Sequence, residues 1–204
     1  GAGGSTQDRT LDVIAKVRKD YYVPVATHLT CVGRTAEQIA EYLQRAVEAQ
    51  VENVVALRGD PPQGESSFQA VEGGFRYANE LVDFVRAKFP DLGIAVAGYP
   101  ETHQEAPSPD EDLQNLKRKV DAGADAVITQ LFYDNGDFFA FRDCCQQIGI
   151  EVPIVPGLLP ITNLEQIKRI TSLCAAKLPS SLLAELEKYA DDPKGQFEVG
   201  VEFA

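Results

Sequence analysis

Apolar positions along this chain follow two periods. Short, almost unbroken apolar runs lie at 24–29, 53–57, 93–97, 126–131 and 153–158. They recur at intervals on the order of 30 residues, the length of one strand-plus-helix unit. Between them, apolar residues return every three or four positions: Leu11, Val13, Ile14 and Val17, then Ile39, Tyr42, Leu43 and Val47, then Leu113, Leu116 and Val120. The first pattern predicts strands buried on both faces, and the second predicts one-sided helices. Their alternation predicts an α/β fold in which helices cover a parallel sheet.

Each predicted strand ends in residues that a strand does not require. Thr27-His28-Leu29-Thr30-Cys31 closes the first, Arg58-Gly59-Asp60 follows the second, and Gly98-Tyr99-Pro100-Glu101-Thr102-His103 the third; Thr129-Gln130 and Pro156-Gly157 end the last two. The stretch Ala56-Leu57-Arg58-Gly59-Asp60-Pro61-Pro62 is the most informative, because it sets a guanidinium, a glycine and a carboxylate in succession after a buried run. Glycine there lets backbone approach a ligand, and the prolines stiffen the exit. A surface ion pair at a turn is the plainer alternative.

No Gly-x-Gly-x-x-Gly and no Walker loop follows any strand, and site-like residues stand at every strand end rather than at one crossover. That favours a (β/α)8 TIM barrel over a doubly wound sheet. Five strands are legible, whereas such a barrel takes eight strands and about 250 residues. Gly1-Ala2-Gly3-Gly4-Ser5 reads as a loop leaving a strand, and 199–204 reads as the inside of a helix. The expectation is an incomplete barrel, with strands 3–7 present and the first strands and the last strand missing. Residues 1–204 would form one partial barrel domain.

Composition narrows the partners. The chain is 44% hydrophobic yet has no run long enough to span a bilayer and no signal peptide, so a cytoplasmic protein without a membrane partner is expected. A net charge of −12 argues against a nucleic-acid partner, Lys117-Arg118-Lys119 being the one basic cluster that stands out. Cys31, Cys144, Cys145 and Cys174 show neither metal-ligand nor disulfide spacing, so reduced thiols are expected. His28 and Cys31 fall short of the ligands a zinc site takes, and no metal is expected.

Two further features carry chemistry. On a helix, Asp112, Asn115 and Lys119 share a stripe, with Arg118 one step round. A carboxylate, an amide and two cations suit a ligand with sugar hydroxyls and phosphates; a solvated helix face is the alternative. Gln130 ends a strand as apolar as Ala126-Val127-Ile128, so burial is expected and its amide requires partners. A bidentate contact to a heterocyclic amide edge would satisfy it, as would a bond to a neighbouring backbone group.

Six motifs in order then resemble one family. They are Thr27-His28-Leu29-Thr30-Cys31, the 56–62 stretch, Gly98-Tyr99-Pro100-Glu101-x-His103-x-Glu105-Ala106, the 115–124 run, Ile128-Thr129-Gln130-Leu131-Phe132, and Ile154-Val155-Pro156-Gly157-Leu158-Leu159-Pro160-Ile161. Across nearly its whole length the chain resembles methylenetetrahydrofolate reductase. The resemblance implies a (β/α)8 barrel that binds FAD and an oxidoreductase acting on CH–NH donors in one-carbon metabolism and methionine biosynthesis. The reaction would reduce 5,10-methylenetetrahydrofolate to 5-methyltetrahydrofolate. NADH or NADPH would pass a hydride to FAD and leave, and the folate would then take it, in a ping-pong scheme. A homo-oligomer is implied for the complete protein.

Carried over residue by residue, the resemblance implies that Asp60 is catalytic. It would lie by the flavin ring, disfavour the anionic reduced flavin and help position the folate. Arg58, Gly59, His28 and Tyr99 would contact FAD, with Ala2, Tyr77, Ala78, His103, Ala106 and Ile128 lining it elsewhere. Asp112, Asn115, Arg118 and Lys119 would hold its ribityl, diphosphate or adenosine parts. Gln130 would bind the pterin and contact the nicotinamide, and Gln166 would reach the substrate.

The chain also departs from the family pattern. A Phe-Glu-Phe-Phe-Pro-Pro-type strand with the proposed proton-donating Glu has no counterpart, nor has a closing His-Phe-Tyr-x-x-Asn-type segment. Ile170 stands where some bacterial members place a stacking Phe. The 204 residues alone are therefore expected to be impaired as a reductase, since such acid catalysis is worth ~10²–10⁴-fold. The alternatives are a non-catalytic flavin- or folate-binding barrel remnant, or another TIM-barrel pterin enzyme.

Overall fold

The computed structural model describes residues 7–61 and 67–203. In chain order the elements are α1 (Gln7–Tyr21), β1 (Ala26–Thr30), α2 (Ala36–Glu48), β2 (Asn53–Leu57), α3 (Ala78–Lys88), β3 (Gly93–Gly98), α4 (Pro109–Asp121), β4 (Ala126–Leu131), α5 (Asn135–Gln147), β5 (Ile154–Gly157), α6 (Leu164–Cys174), α7 (Ser180–Glu187) and α8 (Pro193–Phe203). The strands form one parallel sheet in the order β1-β2-β3-β4-β5, with Ala26 opposite Asn53 and Asn53 opposite Gly93. Parallel neighbours in sequence order require a crossover each time, and a helix supplies each one.

The strand edges follow local chemistry. β2 and β4 have the bounds their apolar runs predict, and β3 runs one residue further, to Gly98. β1 and β5 begin after Pro24 and Pro153, which have no N–H to give a ladder. Burial on both faces holds only for the middle of β2, where Val54, Val55 and Ala56 are all buried. In β1 and β3 burial alternates: Thr27 and Leu29 are buried while Ala26 and His28 are exposed, and Ile94 and Val96 are buried between half-buried neighbours; β5 has no buried residue, Val155 and Pro156 being exposed. Helices cover one face, as the 2.6 Å hydroxyl contact between Thr27 on β1 and Tyr42 on α2 illustrates.

The chain divides into two compact units, Gly1–Ala97 with Asn115–Val127, and Gly98–Gln114 with Ile128–Ala204. In the first unit, Leu29, Ile39, Leu43, Val54, Leu81, Val82, Val85, Ile94 and Val96 are almost wholly removed from water. A reciprocal capping box, in which Thr35 accepts from the Gln38 amide and Gln38 from the Thr35 amide, sets the start of α2. Arg86 ties the end of α3 to two strand entries: its guanidinium donates to Pro90 O, Leu92 O, Gly123 O and Asp125 Oδ2. In the second unit, Tyr133, Ile161, Leu164, Ile167, Leu182 and Leu186 form the core. Among the described residues no helix is long and apolar enough to cross a membrane.

Candidate functional site

The first unit presents its candidate residues on the ends of β1 and β2 and on the last turns of α4. The β1–β2 ladder continues past both strands, with Cys31 N donating to Leu57 O and Val32 N to Arg58 O. The Cys31 thiol also donates to Arg58 O at 3.3 Å, and burial pushes that thiol up to about 11, so it is a neutral anchor beneath the turn. Gly59 follows with φ +89°, and a Cβ there would lie 2.7 Å from Val32 Cγ1 and 3.1 Å from Thr30 Cβ. Its conformation and its crowding against β1 both require glycine. The close approach seen at Gly59 is to the chain's own Val32 and Thr30 side chains.

Arg58 lies over the Phe68 ring, 5.1 Å from its centroid, and Asp60 beyond it is exposed to solvent. His28 is exposed on the uncovered side of β1. Tyr77 is the N-cap of α3, with no side-chain cap bond, and is 58% exposed, while Ala78 opens that helix half-buried. On α4, Asn115 Oδ1 accepts from Arg118 Nη1, and Lys119 Nζ donates to Ala97 O at 2.5 Å, holding the lysine beside the end of β3. Ala2 and Pro62 lie outside the described residues.

The second unit carries the loop after β3. Tyr99 and His103 stack edge-to-face with centroids 4.6 Å apart. Thr102 N donates to Tyr99 O, Ala106 N to His103 O, and Glu105 N to His103 Nδ1. Asp112 Oδ2 accepts from His103 N at 2.9 Å, so the carboxylate read as a ligand group also fastens this loop. Ala106 is half-buried at the loop's end.

Ile128 and Gln130 are half-buried on β4. The expected burial of Gln130 is therefore corrected, and its Oε1 accepts from the adjacent Leu131 N at 2.9 Å, the local bond that stood as an alternative. Gln166 is exposed in the first turn of α6, where the Asn163 side chain caps its amide at 2.8 Å.

Two residues of the same loop, given no separate role from the sequence, have geometry that the sequence does not foretell. Thr102 has φ +75°, an outlying conformation for a β-branched residue, of the kind that collects at ligand-binding loops. The Glu101 side chain, 8% exposed, accepts the Lys177 amide on both oxygens. The only local signal was a carboxylate following Pro100. Among the described residues no group of three or more His, Cys, Asp or Glu is placed to hold a metal ion.

A family model described as methylenetetrahydrofolate reductase matches residues 1–204. Methylenetetrahydrofolate reductase (NADH) 1 of Arabidopsis thaliana is 44% identical over 100% of this chain and 36% of its own length. The 5,10-methylenetetrahydrofolate reductase of Escherichia coli K12 is 36% identical over 100% of this chain and 67% of its own length. The chain thus spans about a third of the plant relative and two thirds of the bacterial one. Among solved structures, an uncharacterized Clostridium thermocellum protein that binds two copies of 5-methyl-5,6,7,8-tetrahydrofolic acid shares the fold, with a TM-score of 0.50 and 14% identity over 98% of this chain and 85% of that one. Motifs at successive strand ends and a family match over the whole length agree, and the chain belongs to the methylenetetrahydrofolate reductase family.

Proposed function

We propose that this chain is the part of a reductase that converts 5,10-methylenetetrahydrofolate to 5-methyltetrahydrofolate with NADH or NADPH, through bound FAD. The observation that carries the reading is the family match over residues 1–204, and the motif residues lie at or just after the ends of strands, which supports it. The parallel strands in sequence order support reading the sheet as part of a (β/α)8 barrel.

The donor set suits a dinucleotide. In the first unit, Asn115 with Arg118, and Lys119 beside Ala97 O, offer an amide and two cations, which is the chemistry a ribose–diphosphate chain needs. Arg58 supplies a further cation, held against Phe68. In the second unit, Tyr99 and His103 offer aromatic surface and Asp112 a carboxylate. Bound FAD would supply two-electron chemistry between the nicotinamide and the folate.

The protein's own tasks are then binding and electrostatics. Asp60, exposed beyond the rigid Gly59 turn, would place a negative charge at the flavin's pyrimidine edge and disfavour negative charge building there. With Oε1 held by Leu131 N, Gln130 would use its amide N–H groups toward the pterin or nicotinamide. Gln166 would contact the substrate from the first turn of α6. The test is Asp60→Asn in the flavin-loaded protein. Folate reduction should fall about 10²-fold, in the range a lost electrostatic donor or acceptor costs, with flavin content kept. Undiminished folate reduction by Asp60→Asn would remove Asp60 from the chemistry, and a parent without folate reductase activity would remove the function.

A further inference from the structure

Within the second unit, α8 grips the loop that leads into α6. Gln196 is 3% exposed and every polar group of its side chain is bonded. Its Oε1 accepts from Leu164 N, the first amide of α6, at 2.8 Å, and its Nε2 donates to Tyr189 O at 2.8 Å and Ala190 O at 2.9 Å. Gly200 lies one turn further along the same face, and a Cβ there would overlap Ile161 O and crowd Ile161 Cβ. One residue therefore bonds the start of α6 while the other lets α8 sit directly on the backbone three residues upstream. Ile161 and Leu164, the two ends of that short loop, are 2% and 5% exposed.

The clamp has a directed consequence. The first turn of α6 leaves amides without helical partners. Gln196 takes that of Leu164, and the Asn163 side chain takes that of Gln166. Gln166 itself is exposed, so its backbone is fixed while its amide side chain faces solvent. A helix start held from a buried side chain on another element is rigid in both position and axis, which a binding side chain on it requires.

We infer that Gln196, with Gly200, is a positioning residue for Gln166: α8 sets where the folate-contacting turn of α6 stands. This rests on the substrate role proposed for Gln166. Gln196 touches no substrate in this account and acts only through the α6 backbone.

The test compares Gln166→Ala, Gln196→Leu, the double variant and Asn163→Ala in the complete flavin-loaded protein. Its readouts are the KM for methylenetetrahydrofolate, the KM for the nicotinamide, flavin content and Tm. Gln166→Ala should raise the folate KM about tenfold, the loss of one substrate hydrogen bond. Gln196→Leu should raise it to a similar extent, and the double variant should be no worse than the worse single, because both remove the same contact. Nicotinamide KM and flavin content should hold. Asn163→Ala should raise the folate KM more weakly, and Asn163→Asp, which keeps the cap, should restore it.

A parental folate KM in Gln196→Leu, or additive effects in the double variant, would overturn the inference. So would an equal rise in nicotinamide KM with loss of flavin, which marks general damage. If Gln196→Leu does not accumulate folded, Asn163→Ala decides alone, and a parental folate KM in it overturns the positioning role. If Gln166→Ala leaves the folate KM unchanged, the substrate role of Gln166 itself fails, and the clamp has nothing to position.

Discussion

Replacing Arg86 with Ala should destabilise the first unit more than any exposed ion pair could. The guanidinium has five N–H donors, and five bonds are made: Nε and Nη2 to Gly123 O at 3.1 and 2.7 Å, Nη1 to Pro90 O and Leu92 O at 2.8 and 3.0 Å, and Nη2 to Asp125 Oδ2 at 2.6 Å. Asp125 Oδ2 in turn accepts from Ile94 N, so one network sets the entries to β3 and β4. The Asp125 pair itself contributes little, because its carboxylate is 56% exposed. The three backbone carbonyls matter more. Each bond from a charged donor is worth about 1.5–3 kcal/mol when water cannot replace it. With Arg86 29% exposed, water recovers part of that, leaving a net cost of about 2–4 kcal/mol. For a chain of this length that lowers Tm by about 4–16 °C. Arg86→Lys should recover under half, since a lysine ammonium cannot fork to four acceptors. Thermal unfolding followed by circular dichroism reads both. A Tm for Arg86→Ala within 2 °C of the parent, against the ~4 °C minimum expected, would refute the reasoning.

Other perturbations have definite signs. Gly59→Ala forces a side chain into φ +89° and against Val32, so it should cost about 2 kcal/mol and lower flavin content; adding Val32→Ala should return only the steric share, and full recovery would show that φ strain is absent. Thr102→Gly removes a β-branched residue from φ +75° and should raise stability by about 1 kcal/mol in a denaturant titration, where a loss would contradict strain at that position. The buried Cys31 and Cys145 thiols are pushed up to about 11 from an ordinary 9.0, chiefly by burial. Folding holds those protons more tightly, so their contribution is complete below pH 9 and is lost as pH rises toward 11, by about 2 kcal/mol each. Stability measured across that window should fall less steeply for Cys31→Ala than for the parent, and parallel curves would exclude the thiol.

The architecture was legible because its signal is local. Strands β2 and β4 kept the bounds of their apolar runs, and α1, α2 and α4 carry the helical periods at Leu11–Ile14, Ile39–Leu43 and Leu116. β1 and β5 shifted where proline withholds a ladder N–H, a rule that the apolar pattern does not contain. Alternating burial was hidden because Ala26, Ala95 and Ala97 are apolar letters whether or not water reaches them.

The candidate residues could be picked out by type and place in the chain, but their local partners could not. The tie from Asp112 to the His103 amide, and the crowding of Gly59 by Val32, arise from folding segments apart in sequence. Gln196 and Arg86 left no trace in the sequence for the same reason. Each is a single polar letter on a helix, and its importance comes from carbonyls and amides brought to it from other segments. Thr102 is the converse: a backbone conformation that its side chain argues against.

The central claim is tested most directly by following the flavin spectrum without oxygen in the complete protein that carries this chain. The account predicts that the protein purifies with flavin, that NADH or NADPH bleaches the oxidised-flavin band, and that methylenetetrahydrofolate restores it. A protein that takes up no flavin, or one whose bleached band does not return on adding the folate, would contradict it.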